Sequence, residues 1–318
     1  MMGRFSTPWW GLILTLVLIW MAGPVSAEVS RLRISGPPVA ESLVFAVMAH
    51  RNMVPVSFIP WQSPDQARAM IAGGQVDASI VTTSAAAIFF NRKMPVRIAG
   101  VFDSPLWVVS VRDRAGGLPL DGVLFFPFGH REMPEMLFET VFGQTTPNLE
   151  RRHAGGALEA VNLMLLARGH HALLAEPGAS LAVLKSQKQG RPELVKHVDM
   201  RRAWQKRFGG MPLYVSSLAV FGRTLDRPEL IQRVVRAYPT ARQWMMDHPD
   251  QALAIARELT PAVAAQVPSP EKLTPAGRLF SGPSDFDAAL FFLNQLHERF
   301  PGAAGDRPPA RAMFLGTE

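Results

Sequence analysis

The chain has 318 residues, 48% of them hydrophobic and 19% charged, enough apolar material for a packed core and too little bias for a disordered or collagenous chain. Its net charge is +7, carried by arginine, since only six lysines occur (Lys93, Lys185, Lys188, Lys196, Lys206 and Lys272). With no cysteine there is no disulfide framework, no thiolate catalysis, no Cys-built zinc or iron-sulfur site and no lipid-modified cysteine. Residues 1–27 read as a signal peptide: Arg4 is the basic region, Gly11 to Ala22 the apolar stretch, and Val25-Ser26-Ala27 the small residues before a cleavage site. The apolar stretch is shorter than the roughly 20 residues that span a bilayer, so cleavage after Ala27 and a soluble exported chain beginning at Glu28 are expected, a periplasmic life fitting best.

Strands and helices then alternate. Leu32–Ser35 reads as a strand, Val39–Asn52 as a helix and Val54–Ile59 as the next strand. Ser63-Pro64-Asp65-Gln66 has the residues of a capping box with proline in the first turn, opening a helix to Ala72 that Gly73-Gly74 closes. Val76–Val81 is a strand, Thr82-Thr83-Ser84 a polar loop and cap, Ala85–Asn91 a helix and Val96–Val101 a strand. The style restarts with strand Val123–Phe126, loop Pro127–Arg131, a helix to Phe142, a helix over Ala157–Ala167 and strand Ala172–Ala175. Such alternation predicts mostly parallel sheets flanked by helices, an α/β fold in two related halves. A repeat supports the halves: residues 65–85 and 159–179 both run helix, glycine, apolar strand and polar turn, with His171 opposite Asp77. Tyr214–Phe221 reads as a strand returning to the first half, and Pro228–Met246, Pro249–Glu258 and Asp285–Phe300 as amphipathic cladding helices. The tail after Pro301 is rich in Gly, Pro and Ala, is expected to be loosely ordered and is given no part in binding.

Several of these segments resemble a known family. The helix end Ala-Gly-Gly-Gln-Val-Asp-Ala-Ser (72–79), Thr82-Thr83-Ser84, Met94-Pro95-Val96-Arg97, Gly129 after a strand, and Leu174-Ala175-Glu176-Pro177-Gly178-Ala179-Ser180 resemble the nitrate, sulfonate, taurine and thiamine-precursor type of ABC-transporter substrate-binding proteins. The resemblance implies the two-lobe type II periplasmic binding protein fold, each lobe a mostly parallel sheet flanked by helices. Lobe one would be 28–112 plus 212–300 and lobe two 113–211, with hinge crossings near 112 and 211. It also implies a small-molecule solute held between the lobes, delivery to an inner-membrane permease with its ATPase, and no catalytic step. His171 and the Phe128-Gly129-His130-Arg131 loop depart from the family pattern, so the solute's class is not inherited.

Loops at strand C-termini line the crevice of an open α/β sheet, where helix N-termini aim free N–H groups. That places Ser35 and Gly36, Thr82, Thr83 and Ser84 in lobe one, with Trp61 and Phe102 as cleft walls. Gly129, His130, Arg131 and Glu176 are the lobe-two candidates. Arg131 suits a carboxylate, sulfonate or phosphate, whereas Glu176 suits an amine or a ring N–H, which leaves the solute's sign open. Each has a plainer reading as cap, turn, core side chain or solvated charge. The scattered histidines give no metal site by spacing, and no cofactor is expected. Two other functions stay open: a solute sensor on the same fold, and a pyrimidine-synthesis-type enzyme, for which Lys93 and the other lysines are poorly placed. The pI of 10.3 points to nucleic acid, but export and dispersed Arg pairs argue against it. A monomer is expected.

Overall fold

Short apolar runs closed by glycine and proline turns build two sheets in a computed structural model that describes residues 31–316 apart from Gln144 and Gln189. The expected signal peptide, residues 1–27, lies outside the described residues. Among the described residues no helix is long and apolar enough to cross a membrane.

The first half runs β1 (Leu32–Gly36), α1 (Ala40–His50), β2 (Val56–Pro60), α2 (Pro64–Ala72), β3 (Ala78–Thr82), α3 (Thr83–Asn91) and β4 (Val96–Phe102). The second runs β5 (Leu106–Val111), β6 (Gly122–Pro127), α4 (Met133–Phe142), β7 (Leu149–Ala154), α5 (Ala157–Leu165), β8 (His171–Ala175), α6 (Gly178–Ser186), β9 (Leu194–Asp199) and α7 (Met200–Arg207). The chain then returns through β10 (Ser216–Phe221), α8 (Pro228–Asp247), α9 (Pro249–Leu259), α10 (Pro261–Ala264), β11 (Leu279–Phe280) and α11 (Pro283–Arg299). One sheet has the order β11-β4-β10-β3-β1-β2, the other β7-β6-β8-β5-β9. Each is mixed: β1 is parallel to β2 and β3, while β10 is antiparallel to β3 and β4. Likewise β6 is parallel to β7 and β8, and β5 is antiparallel to β8 and β9.

Local chemistry explains the helix starts. Ser63 Oγ accepts from Gln66 N (3.2 Å), while the Gln66 side chain reaches one residue further back than a capping box requires, accepting from Gln62 N (2.8 Å). Thr82 Oγ1 accepts from Ala85 N (3.1 Å) and caps α3. α1 is buried on nearly every side because the sheet covers one face and α8 and α9 another. A separate apolar cluster includes Val96 and Val101 of the first sheet and Leu106, Phe126 and Leu173 of the second.

Two expectations change. The first crossing between sheets is Asp103-Ser104-Pro105, not a segment near 112, because Leu106–Val111 pairs with β8 and β9. The run LWVVSV, to which the sequence reading assigns no element, is a strand of the second sheet. The tail is packed: Ala303, Ala304, Met313 and Phe314 are buried, Phe314 bridges Ile98, and Leu315 N donates to Ile98 O (2.9 Å). Asn91 Nδ2 takes up the carbonyls of Ala304 (2.7 Å) and Arg307 (2.9 Å), so α3 satisfies a backbone that has little regular structure of its own.

Candidate functional site

A cleft of about 350 Å³ opens where the start of α3 meets the start of α4, closed on a third side by the segment after α11. Thr82, Ser84, Ala85, Ile88, Phe89 and Arg92 line it from α3, and Arg131, Glu132, Met133 and Met136 from the second half. Arg68 of α2 and Arg299 to Ala303 complete the wall. The first turns of two helices therefore border one cavity, although in α3 Thr83 N already donates to Val215 O (3.0 Å) and Ala85 N to Thr82 Oγ1 (3.1 Å).

Four guanidinium groups stand against one carboxylate. Arg68 is committed: its Nη1 lies 2.6 Å from Asp65 Oδ1 and its Nη2 3.0 Å from Glu132 Oε1, the latter pair joining the two halves. Arg299 leans on Glu139 (3.5 Å). Among the described residues Arg92 and Arg131 have no acidic partner, and both are exposed at the cleft. Arg131 has a φ of +61° and Phe128 a φ of +73°, so the loop Pro127–Arg131 turns through left-handed backbone at two residues that carry side chains. Glu135 fixes this turn, its Oε2 accepting the Arg131 N–H (2.6 Å).

Of the residues singled out by sequence, Thr82, Ser84 and Arg131 come together here. The Ser84 hydroxyl donates to Ala303 O and so pins the tail against α3. The others lie elsewhere. Thr83 is buried and donates to Tyr214 O (2.8 Å), anchoring the returning chain. Ser35 is buried and donates to Ser79 Oγ (2.8 Å). Gly36 serves packing, since a Cβ there would collide with Ser42 Oγ and press on Ile80. Trp61 is buried in the cluster that spans the sheets, its indole N–H without a partner among the described residues. Phe102 is no cleft wall: it is fully buried on the opposite face of its sheet, against Phe45 and Tyr238, with ring centroids 6.4 and 5.5 Å away.

Glu176 is not free to meet a solute, because it is 5% exposed, ion-paired to Lys196 and accepts from Ser180 N (3.2 Å). Gly129 borders open space, and His130 faces solvent beside Glu135 and His153. Sequence reasoning missed Arg68, Arg92, Arg299 and the apolar wall of Phe89, Met133, Met136 and Phe300. Their signal was faint: each sits on or just beyond a helix whose neighbours are set by tertiary docking.

No protein-family model matches the chain, and no curated protein matches it. Solved structures do. An ABC transporter protein from Parabacteroides distasonis has a TM-score of 0.73 at 18% identity, over 91% of this chain and 100% of that one. The periplasmic aliphatic sulphonate binding protein of Escherichia coli has a TM-score of 0.65 at 10% identity, over 88% and 95%. A ligand-binding component of an ABC-type import system from Staphylococcus aureus, with zinc bound, has a TM-score of 0.63 at 15% identity, over 90% and 96%. This chain has the periplasmic binding protein fold. Its two mixed sheets flanked by helices are the architecture those proteins share, and the cleft described above lies at the strand C-termini that the fold turns toward one another.

Proposed function

We propose that the protein is the periplasmic solute-binding component of an ABC import system, and that its solute is a small organic anion with an apolar portion. The observation that carries the anionic reading is the pair Arg92 and Arg131, exposed at a cleft and without acidic partners among the described residues, Arg131 just before the first turn of α4 and Arg92 at the far end of α3. Glu132 adds little opposing charge because Arg68 already holds it. Phe89, Met133, Met136 and Phe300 give the cleft an apolar side, which suits an alkyl or aryl group attached to a sulfonate, carboxylate or phosphonate. The sulphonate-binding neighbour agrees with this reading while sharing only 10% identity.

Binding would act through differential affinity. An anion touching Arg92 on one half and Arg131 on the other stabilises the arrangement in which both reach it, and a permease with its ATPase reads that arrangement. No step of this scheme breaks a bond. A thermal-shift comparison of three solutes with one alkyl chain and different heads tests it. The sulfonate and the carboxylate are expected to raise the melting temperature, and the ammonium to leave it unchanged. Stabilisation by the ammonium alone overturns the anionic reading.

A further inference from the structure

β7 brings His153 beside the loop that follows β6, although twenty-odd residues separate it from His130 in the chain. His130 Nδ1 lies 3.0 Å from Glu135 Oε2, and His153 Nε2 lies 3.2 Å from the same oxygen. One donor atom from each of the three falls within 4.8 Å of the others, the single such group of metal-ligating side chains among the described residues. The carboxylate is nearly buried, its side chain 8% exposed, while His130 is 68% and His153 27% exposed, so the trio forms a shallow cup with an acidic floor and imidazole walls.

The geometry points to a divalent transition-metal site at His130, Glu135 and His153, of the class that takes Zn²⁺. Bonds of about 2.0–2.1 Å in a tetrahedron set neighbouring ligand atoms a little over 3 Å apart, close to the two imidazole–carboxylate separations of 3.0 and 3.2 Å, while the imidazole nitrogens lie within 4.8 Å of each other. Two imidazole nitrogens and one carboxylate oxygen favour zinc, cobalt or nickel over the oxygen-seeking calcium and magnesium. Glu135 Oε2, the oxygen that faces both imidazoles, also accepts the Arg131 N–H (2.6 Å), and His153 is positioned by stacking on Phe126 (centroids 6.1 Å apart, 29° between planes). His130, the most exposed of the three, leaves the cup open to solvent on its side.

A metal here would clamp residues 130–135 and with them the backbone of Arg131, whose side chain lines the cleft. A gain in anion affinity on loading rests on the function proposed above; metal binding itself does not. The test uses untagged protein, stripped with a chelator and titrated with Zn²⁺, and separately with Co²⁺ followed by its visible absorption. The site predicts about one metal per chain and an intense low-symmetry Co²⁺ spectrum. His153→Ala and the exposed His130→Asn should each weaken uptake by roughly tenfold or more, while His248→Ala should not. Folding of these variants is checked by circular dichroism, and His130→Asn leaves the buried Glu135 untouched. No uptake by folded wild type, or uptake unchanged in both His130→Asn and His153→Ala, would overturn the site. Uptake as expected with no change in anion affinity would instead count against the clamp alone.

Discussion

His171 begins β8 fully buried, its Nε2–H donating to Asp121 O (2.9 Å) and its Nδ1 accepting from Ser110 Oγ (2.7 Å), which in turn is 3.0 Å from His197 Nδ1. Burial pushes its pKa down to about 4, and burial lowers that of His197 too. The unfolded chain binds a proton near pH 6.5 that the folded His171 refuses, so stability is lost as pH falls from about 6.5 toward 4. The slope approaches about 1.4 kcal/mol per pH unit for one such group. Melting curves between pH 7 and pH 5 should show this loss, and His171→Gln, which keeps a polar side chain without a titration, should flatten it. An equal slope in the variant would assign the effect to other groups.

The internal repeat set His171 opposite Asp77, and the structure shows how the same position carries two chemistries. Asp77 sits just before β3 and pairs with the Arg33 guanidinium (2.8 Å). Burial raises its pKa, but the hydrogen bonds from Arg33 outweigh that and hold the carboxyl below its ordinary value. Thr82, Ser84 and Arg131 were legible because strand-to-helix turns are written in the alternation of the chain. The pairing of Glu176 with Lys196 is not legible in the sequence, because Lys196 lies on β9, a strand with no continuous apolar pattern.

Of the four strands to which the sequence reading assigns no element, β5, β7, β9 and β11, the last three are sheet edges. LERRHA and LVKHVD lack a continuous apolar face because an edge strand is charged where solvent reaches it. The tail was misjudged for the opposite reason: glycine and proline composition reports an absence of regular structure, not an absence of contacts. Phe314 stacks on Phe286 with centroids 4.8 Å apart and is 1% exposed. Phe314→Ala should therefore cost about 3–5 kcal/mol, read as a lower urea midpoint with an unchanged slope. A loss below about 0.5 kcal/mol, the range of surface substitutions, would return the tail to the loosely ordered state that its composition suggests.

At the scale of the molecule, the crossing Asp103-Ser104-Pro105 is tied to distant parts of the chain. Asp103 pairs with Arg278 (2.8 Å), Glu176 N donates to Pro105 O (3.2 Å), and Glu41, its pKa raised by burial, lies beside Ser104. Across the cleft the Arg68–Glu132 pair links the halves, so a solute anion would enter a site whose walls already interact. Under the proposed function this cleft holds an anion through arginines, Arg131 above all, while Glu176 stays committed to Lys196. Calorimetric titration of wild type, Arg131→Ala and Glu176→Gln with one alkanesulfonate tests it most directly. Arg131→Ala is expected to weaken binding by about 1.5–3 kcal/mol, roughly 10- to 150-fold, and folded Glu176→Gln to bind like wild type. Wild-type affinity in Arg131→Ala, or a loss confined to Glu176→Gln, would contradict it.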